Sequence, residues 1–272
     1  MTALSATAST AVSSAETPTV RPVAIHQPNL FPRLSTVAKL FTADEWIVLD
    51  EVQFVRRDYQ HRVRLAPPGR PDEEQLLTLP VHLPAGRSTR ICDVRLVEAD
   101  RSARRLNLLS RQLYRRSEHW KDLETPLHAV IQELHTTDDL ATVSIESTAH
   151  LLRALGWQGT IVRTRGIPAR NGRTDRLVDL TLARSGTHYL CGAGGLRYLE
   201  QRQFTERGIP VIACCTPERP EPLWAGARRI STLWAIATFG RDYVREILQR
   251  HRDTLLTSTT TTAAIGSALV TG

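Results

Sequence analysis

The chain has 272 residues, enough to bury a large core in one or two domains. Hydrophobic residues make up 41% and charged residues 23%, which is ordinary for a globular protein, and no apolar run approaches the roughly 20 residues of a membrane-spanning helix. The net charge of +7 permits an anionic ligand, including RNA. No dense basic run with interleaved aromatics marks a nucleic-acid surface, so we expect no DNA partner. Because no apolar run is long enough to span a membrane, we also expect no membrane partner.

The two ends of the chain differ in composition from the rest. Residues 1–20 are rich in Ala, Ser and Thr, with almost no charge, which predicts a disordered tail rather than a signal peptide. Residues 257–272 repeat this composition and predict a second tail, with docking of residues 263–270 as the alternative for its later part. This leaves one domain over residues 21–256. No spaced pair of the redox or metal-binding kind occurs among the four cysteines, which favours a reducing, cytoplasmic compartment. These are Cys92, Cys191, Cys214 and Cys215.

The first ordered stretch predicts a parallel crossover unit. An apolar run at residues 23–25 suits a buried strand, and residues 26–32 follow with two prolines and an asparagine. Ser35 is the predicted N-cap of a helix, and residues 46–49 form a second apolar run. Parallel units bind ligands at the carboxyl ends of their strands. The polar residues expected at that edge are His26, Gln27, Asn29 and Asp50.

The middle of the chain predicts an inserted region of hairpin strands followed by helices. Short apolar pieces around a Pro-Pro-Gly turn predict strands over residues 62–65, 76–81 and 91–96. Apolar spacings of three and four residues predict helices over residues 100–116, 126–135 and 138–155, within a helical segment of about 100–156. Glu133, His135 and His150 match no metal-ligand spacing, so we expect no metal site.

The loop after Asp50 is dense in hydrogen-bonding side chains and has no clear period. Such a loop beside a strand end suits a ligand site, although an ordinary solvated loop gives the same pattern. The candidate ligand-binding side chains in it are Gln53, Arg57, Tyr59, Gln60 and Arg62. Asp50 itself is either a general base or metal ligand, or a cap for this loop.

From residue 160 strands and helices alternate again. The pattern predicts strands over residues 160–163, 188–191 and 209–214, and helices over residues 175–183, 196–207, 231–239 and 243–248. Residues 192–195 form a glycine loop that admits a phosphate at a helix N-terminus or simply makes a tight turn. The fold class is therefore α/β: a parallel sheet with crossover helices, Rossmann-like and compatible with a nucleotidyltransferase-like arrangement, with the inserted hairpin and helical region.

The spacing of His26 and Asn29 resembles the nucleotide-binding signature of class I tRNA synthetases, in which two imidazoles contact phosphates. Asn29 donates a hydrogen bond but carries no charge. Donors at this loop would stabilise a phosphoryl transition state. The alternative is that His26 is a buried structural histidine.

Positive charge for such a state would come from Arg57, Arg62 or Arg176, and residues 174–176 would form a second phosphate-contacting loop. The lysine-bearing loop of the synthetases has no counterpart, because no lysine follows Lys121. That argues against synthetase-like activation, though not against nucleotide binding.

The motifs at residues 26–29 and 49–54 resemble those of the WbqC-like family, whose pattern reads His-Gln-Pro-Asn-Tyr-Leu-Pro-Trp, then an aspartate pair before Val-Gln-Phe. Softer matches follow at Arg57, Gln60, Arg62, residues 79–81, Thr174, residues 176–177 and residues 189–192. The resemblance implies a biosynthetic enzyme, a transferase or ligase of polysaccharide (O-antigen) or small-molecule assembly. Glu51 replaces the second aspartate, and Trp234 stands where the family usually has an aspartate, so a reaction that needs that aspartate would be lost or altered.

We expect an enzyme that transfers an acyl, aminoacyl or nucleotidyl group from an activated, phosphate-bearing donor, such as aminoacyl-tRNA, to a small molecule or sugar. His26 and Asp50 are the expected catalytic residues. The expected substrate-binding residues are Gln27, Asn29, Gln53, Arg57, Tyr59, Gln60, Arg62, Thr174, Arg176, Gly192 and Ser231. The cofactor stays open, with ATP or another nucleotide and Mg²⁺ compatible with the pattern. The alternatives are a non-catalytic module that binds a nucleotide sugar or a partner enzyme, and an RNA-binding protein.

Overall fold

A computed structural model describes residues 20–217 and 221–268, and the side chains among them as far as residue 258. The tail expected at the N-terminus therefore lies, except for Val20, outside the described residues. None of the described helices is both long enough and apolar enough to cross a membrane.

Nine strands and nine α-helices make up the described part of the chain. The strands are β1 (Pro22–His26), β2 (Glu45–Val48), β3 (Arg62–Leu65), β4 (Gln75–Thr78), β5 (Val81–His82), β6 (Arg95–Leu96), β7 (Thr160–Arg163), β8 (His188–Gly192) and β9 (Val211–Cys214). The helices are α1 (Leu34–Thr42), α2 (Ala99–Tyr114), α3 (Trp120–Thr136), α4 (Leu140–Ala154), α5 (Arg173–Ala183), α6 (Ala193–Leu196), α7 (Gln201–Thr205), α8 (Thr232–Phe239) and α9 (Arg241–Ala268).

A five-stranded parallel sheet organises the fold, in the order β7-β2-β1-β8-β9. Its first strand along the chain, β1, lies at the centre, with its residue Val23 opposite Glu45 of β2 and Tyr189 of β8. Counted within this sheet alone, the order is third, second, first, fourth, fifth, which is Rossmann-like. The predicted fold class is confirmed. The direction of winding reverses between β1 and β8, and the crevice at their carboxyl ends is where such sheets bind ligands.

The inserted region contains two antiparallel pairs, β3 with β4 and β5 with β6. The single strand expected over residues 76–81 is instead two strands, because Pro80 between them has no N–H to continue a ladder. Only Arg95–Leu96 of the strand expected over residues 91–96 is paired as a strand, since Ile91–Asp93 forms a 3₁₀ turn.

Several helix boundaries differ from the predictions. Ser35 is not the N-cap of α1, because the helix already begins at Leu34 and no side chain caps it. Helix α3 begins at Trp120 and continues through Pro126, whose burial with Leu123 outweighs its low helix propensity. The glycines at 194 and 195 form a helical turn in α6, and the helix expected over residues 196–207 is divided between α6 and α7.

Two apolar layers cover the sheet. The larger contains α1, α4, α8 and α9 together with the helices of the inserted region, and Trp46 and Tyr114 are fully buried in it. The smaller lies on the other face, where Val178 of α5 and Phe204 of α7 pack against Tyr189. The backbone of α9 continues to Ala268, past the start of the C-terminal tail expected at residue 257.

Candidate functional site

A cavity of about 800 Å³ opens at the carboxyl ends of β1, β8 and β9. It therefore occupies the switch point of the sheet, where β1 and β8 diverge. The loop after β1, helix α1 and the turn into α6 supply most of its walls. Its polar lining includes His26, Gln27, Arg33, Ser35, Thr36, Lys39, Asp58, Arg173, Tyr198, Thr216 and Arg228.

Positive charge dominates the lining of this cavity. Among the described residues that line it, four have basic side chains, Arg33, Lys39, Arg173 and Arg228, and one, Asp58, has a carboxylate. A cleft that is lined by charges of one sign and has low-dielectric walls focuses their electric field, which raises the local concentration of ions of the opposite sign. The lining is therefore complementary to an anion.

His26 belongs to a hydrogen-bonded chain that fixes its tautomer. The side-chain nitrogen of Asn29 donates to the carbonyl oxygen of Pro28 at 3.0 Å, so its Oδ1 is the atom 3.2 Å from Nε2 of His26. An amide oxygen only accepts, so Nε2 carries the hydrogen. Nδ1 is then the acceptor for Nζ of Lys39, at 3.2 Å, and Nζ also donates to the carbonyl oxygen of Ile25 at 3.1 Å.

Burial controls the protonation of these groups. It lowers the pKa of His26 well below its ordinary value, and the charges of Lys39 and Arg33 lower it further, against a smaller opposing effect of the bond to Asn29. Burial also lowers the pKa of Lys39. It raises the pKa of the Cys214 thiol to about 12, although the charge of Lys39 opposes the rise. The floor of the cavity thus favours a neutral imidazole and a neutral thiol.

The loop that carries His26 is held from several sides. The hydroxyls of Ser147 and Thr148 donate to the carbonyl oxygen of Asn29, at 3.0 and 2.9 Å. Phe31 adopts a positive φ of 41°, which is uncommon for a bulky residue, and its N–H donates to Oγ of Ser147. The loop is thereby anchored to α4 in a conformation that needs support.

Some predicted site residues are brought together at this loop. Gln60 is fully buried and donates its side-chain amide to Oε1 of Gln27 at 2.7 Å. The ring of Tyr59 lies under the guanidinium of Arg33, 4.7 Å from the ring centre. Gly192 ends β8 and lines the cavity beside the stem of Lys39.

Asp50 lies at the same edge of the sheet but does not line the cavity. Its buried carboxylate is 2.6 Å from Nε and Nη2 of Arg163 and 3.4 Å from the hydroxyl of Thr164. The carboxylate therefore faces the β7 side of the sheet. These contacts agree with the alternative that Asp50 has a structural role, as a cap for the loop that follows it.

Other predicted residues have structural contacts of their own. Gln53 donates to the carbonyl oxygen of Arg87, Arg57 is exposed, and Arg62 donates to the carbonyl oxygen of Asp58. Among the later residues, Thr174 accepts from the N–H of Glu200, Arg176 pairs with Glu51 at 3.6 Å, and Ser231 caps α8. None of these six lines the cavity. Trp234 is buried in the core and donates to the carbonyl oxygen of Pro67 at 3.1 Å.

Sequence reasoning missed the cations of the cavity and Lys39 above all. Lys39 lies on the otherwise apolar face of α1, and it is one of two lysines in a chain whose other cationic side chains are arginines. A lysine within an apolar stripe is the signal that marks it, because lysines are almost never fully buried without a partner. Arg33 and Arg173 carried no comparable signal.

Among the described residues, no group of three or more His, Cys, Asp and Glu side chains is arranged to hold a metal ion. Asp58, the one carboxylate in the described part of the cavity lining, accepts the N–H of Tyr59 at 3.1 Å.

The fold and the cavity define a mixed α/β, Rossmann-like protein with a cationic pocket at the switch point of its parallel sheet. The model of the WbqC-like protein family matches residues 27–220, which is more than half of the chain, and the chain belongs to that family. It is also similar to the uncharacterized protein Rv1507c of Mycobacterium tuberculosis, with 25% identity over 204 residues that cover 71% of this chain and 81% of the relative. No solved structure matches the chain at a significant level.

Proposed function

We propose that the protein is a biosynthetic transferase or ligase whose switch-point cavity binds a phosphate-bearing activated donor. The observation that carries this proposal is the set of three arginines, Arg33, Arg173 and Arg228, around a cavity whose described lining contains one carboxylate. Guanidinium groups suit phosphate oxygens, since they present several N–H donors in a fixed plane. The WbqC-like family is linked to biosynthesis, which agrees with a donor of this kind.

Arg33 is a central anion-binding residue in this proposal. Its guanidinium is positioned by the ring of Tyr59 and by a hydrogen bond to the carbonyl oxygen of Arg228 at 2.9 Å. Its Nε is buried and has no hydrogen-bond partner within the described structure. An unpaired buried donor is costly, and a ligand oxygen would satisfy it. Arg173 would hold the outer part of the ligand, because it lies at the rim, 5.3 Å from the ring centre of Tyr198.

The transferred group would be acyl, aminoacyl or nucleotidyl, and the acceptor a small molecule or sugar of natural-product or surface-glycan assembly. Aminoacyl-tRNA and ATP are donors that the cavity's charge would suit. His26 would act at the cavity floor, where its ring is fixed by Asn29 and Lys39.

A non-catalytic binding module is the second candidate. The pairing of Asp50 with Arg163 favours it, because it removes from the cavity the carboxylate that was expected to act as a base. The burial of Trp234 away from the cavity lining favours it too. This candidate predicts the same ligand binding without a product.

Thermal unfolding tests the proposal. The wild type, His26→Ala and Arg33→Gln are heated with ATP, nucleotide sugars, acyl-coenzyme A or aminoacyl-tRNA, with and without magnesium. A ligand that binds the folded state stabilises it by about 2.7 kcal/mol at one hundred times its Kd. We expect at least one donor to stabilise the wild type and to stabilise Arg33→Gln much less.

The exposed Arg116, outside the cavity lining, provides a matched control in the variant Arg116→Gln. This variant should respond like the wild type. If no donor shifts the wild type, or if Arg116→Gln loses the shift equally, the proposed donor site is wrong. Incubation of a bound donor with candidate acceptors then separates the enzyme from the binding module, since only the enzyme forms product.

A further inference from the structure

Lys39 occupies an unusual position for a lysine. The residue is only 6% exposed, yet it lines the cavity at the switch point of the sheet. Its Nζ makes two hydrogen bonds, to the carbonyl oxygen of Ile25 and to Nδ1 of His26. A tetrahedral nitrogen has one further position, and none of the described residues is bonded to Nζ there. That position is available to a ligand in the cavity.

Lys39, His26 and Asn29 form the arrangement that enzymes use to activate a nucleophile. Such sites place the nucleophile within hydrogen-bond reach of a base, which a third group orients. Here Asn29 holds the Nε2–H of His26, so the one lone pair of the neutral ring is directed at Nζ of Lys39, 3.2 Å away. His26 is therefore placed to take a proton from Lys39.

The surroundings of Nζ favour the uncharged amine. The titratable groups that affect it or its partner are His26 of β1, Arg33 before α1, Cys191 of β8 and Cys214 of β9. Burial is the largest effect on Lys39 and lowers its pKa, against a smaller opposing effect of Cys214 and Cys191 in their ionised form. A buried amine next to a neutral imidazole has a larger fraction of its unprotonated, nucleophilic form at neutral pH than an exposed lysine.

We propose that Lys39 forms an imine with an aldehyde or ketone that bears a phosphate or carboxylate group. The lone pair of Nζ forms the C–N bond, and the carbonyl oxygen takes the two protons of the amine and leaves as water. His26 passes these protons between nitrogen and oxygen. The step needs no oxidant or reductant, because an amine and a carbonyl give an imine and water.

The arginines that line the cavity are the reason to expect an anionic group on this substrate. Three guanidinium groups, those of Arg33, Arg173 and Arg228, line the same space as Nζ. They would hold the anion while the carbonyl carbon reaches Lys39. This inference rests on the proposed function to the extent that both place an anionic ligand in this cavity.

Pyridoxal 5′-phosphate, an anionic aldehyde, serves as the probe. The protein is incubated with it at neutral pH, the imine is reduced with borohydride, and the modified residue is located by mass spectrometry. The chain has two lysines, so the exposed Lys121 is an internal control. We expect at least tenfold more adduct on Lys39 than on Lys121, and a slower reaction by about 10²-fold in His26→Asn, as for the loss of a general base.

Lys39→Arg and Lys39→Met should lose the imine absorbance, whereas Lys121→Arg should keep it. Both substitutions of Lys39 are needed, because a buried arginine can disturb the fold, whereas methionine is uncharged and similar in length to lysine. Adducts confined to Lys121 or the N-terminal amine would overturn the inference, and so would a rate in His26→Asn equal to that of the wild type.

Pyridoxine 5′-phosphate, which has an alcohol in place of the aldehyde, separates this inference from the proposed function. If it binds to the cavity of the wild type while pyridoxal 5′-phosphate leaves Lys39 unmodified, the imine is wrong and the anion site stands. If neither compound binds, the anion site is contradicted together with the imine.

Discussion

Asp50, which follows β2, forms an ion pair with Arg163 of the neighbouring edge strand β7, with 2.6 Å between the carboxylate and the guanidinium. The carboxylate is 1% exposed and the arginine side chain 37%. Asp50→Asn keeps the shape but removes the charge, so it should lower the free energy of unfolding by about 1–3 kcal/mol. Urea denaturation measures this loss.

The same variant should bind a cavity ligand like the wild type, because Asp50 does not line the cavity. If Asp50→Asn instead kept full stability but lost ligand binding or activity, Asp50 would be a catalytic residue.

His61 makes the stability of the fold depend on pH. Burial, reinforced by the charges of Arg62 and Arg56, lowers its pKa to about 4. The unfolded chain binds a proton on this ring below a pH of about 6.5, whereas the folded chain resists protonation until about pH 4. Its contribution to stability is therefore complete above pH 6.5 and is lost as the pH falls toward 4.

The variant His61→Phe tests this dependence, since the ring of His61 already packs edge-on against Phe54 at 5.0 Å and its Nδ1 has no hydrogen-bond partner in the described structure. Denaturation at several pH values should show the variant gaining on the wild type from pH 6.5 down to about 4, with a constant difference below. A difference that is the same at every pH would refute the assignment.

Trp234 stabilises the core rather than the cavity. Its ring is 3% exposed and its Nε1–H donates to the carbonyl oxygen of Pro67. Trp234→Phe removes this bond and leaves unfilled volume, so we expect a loss of about 1–3 kcal/mol in the free energy of unfolding. Donor binding measured on the folded variant should be unchanged. A loss of binding without a loss of stability would show that the position has kept a functional role.

Ser147 should support the loop of His26. Its hydroxyl donates to the carbonyl oxygen of Asn29 and accepts the N–H of the strained Phe31. Ser147→Ala removes the acceptor of the Phe31 N–H and leaves Thr148 as the hydroxyl donor to the carbonyl oxygen of Asn29. It should cost about 1–3 kcal/mol of stability and weaken ligand binding. The control is Ser102→Ala, which removes a buried hydroxyl without a hydrogen-bond partner in the described part of the chain, and we expect it to be neutral. Equal effects of the two substitutions would contradict this role of Ser147.

The sequence predicted the parallel sheet well, because the strands that build it are short apolar runs with polar ends. Gln27 and Gln60 were both candidate site residues because they fall in polar loops after strands, and the fold joins them by a hydrogen bond. The ion pair of Asp50 with Arg163 could not be predicted from the strand before Asp50 alone. β2 lies on the opposite side of β1 from β8, and its other neighbour, β7, brings Arg163 from more than a hundred residues away.

The surroundings of Lys39 could not be predicted from the sequence for the same reason. Its neighbours come from α1, β1, β8 and β9, so its role appears only after the whole sheet is assembled. The arginines of the cavity come from three distant stretches and look like the many surface arginines of this chain until the fold brings them together.

Titration calorimetry with inorganic pyrophosphate measures whether the cavity at the carboxyl ends of β1 and β8 binds an anion. Pyrophosphate should bind the wild type, with affinity that falls as salt is raised. Loss of a charged hydrogen bond of about 1.5–3 kcal/mol should weaken binding to Arg33→Gln by about 10- to 100-fold. Arg116→Gln should match the wild type. Absence of binding to the wild type, or equal weakening in both variants, would show that the arginines of the cavity do not form an anion site.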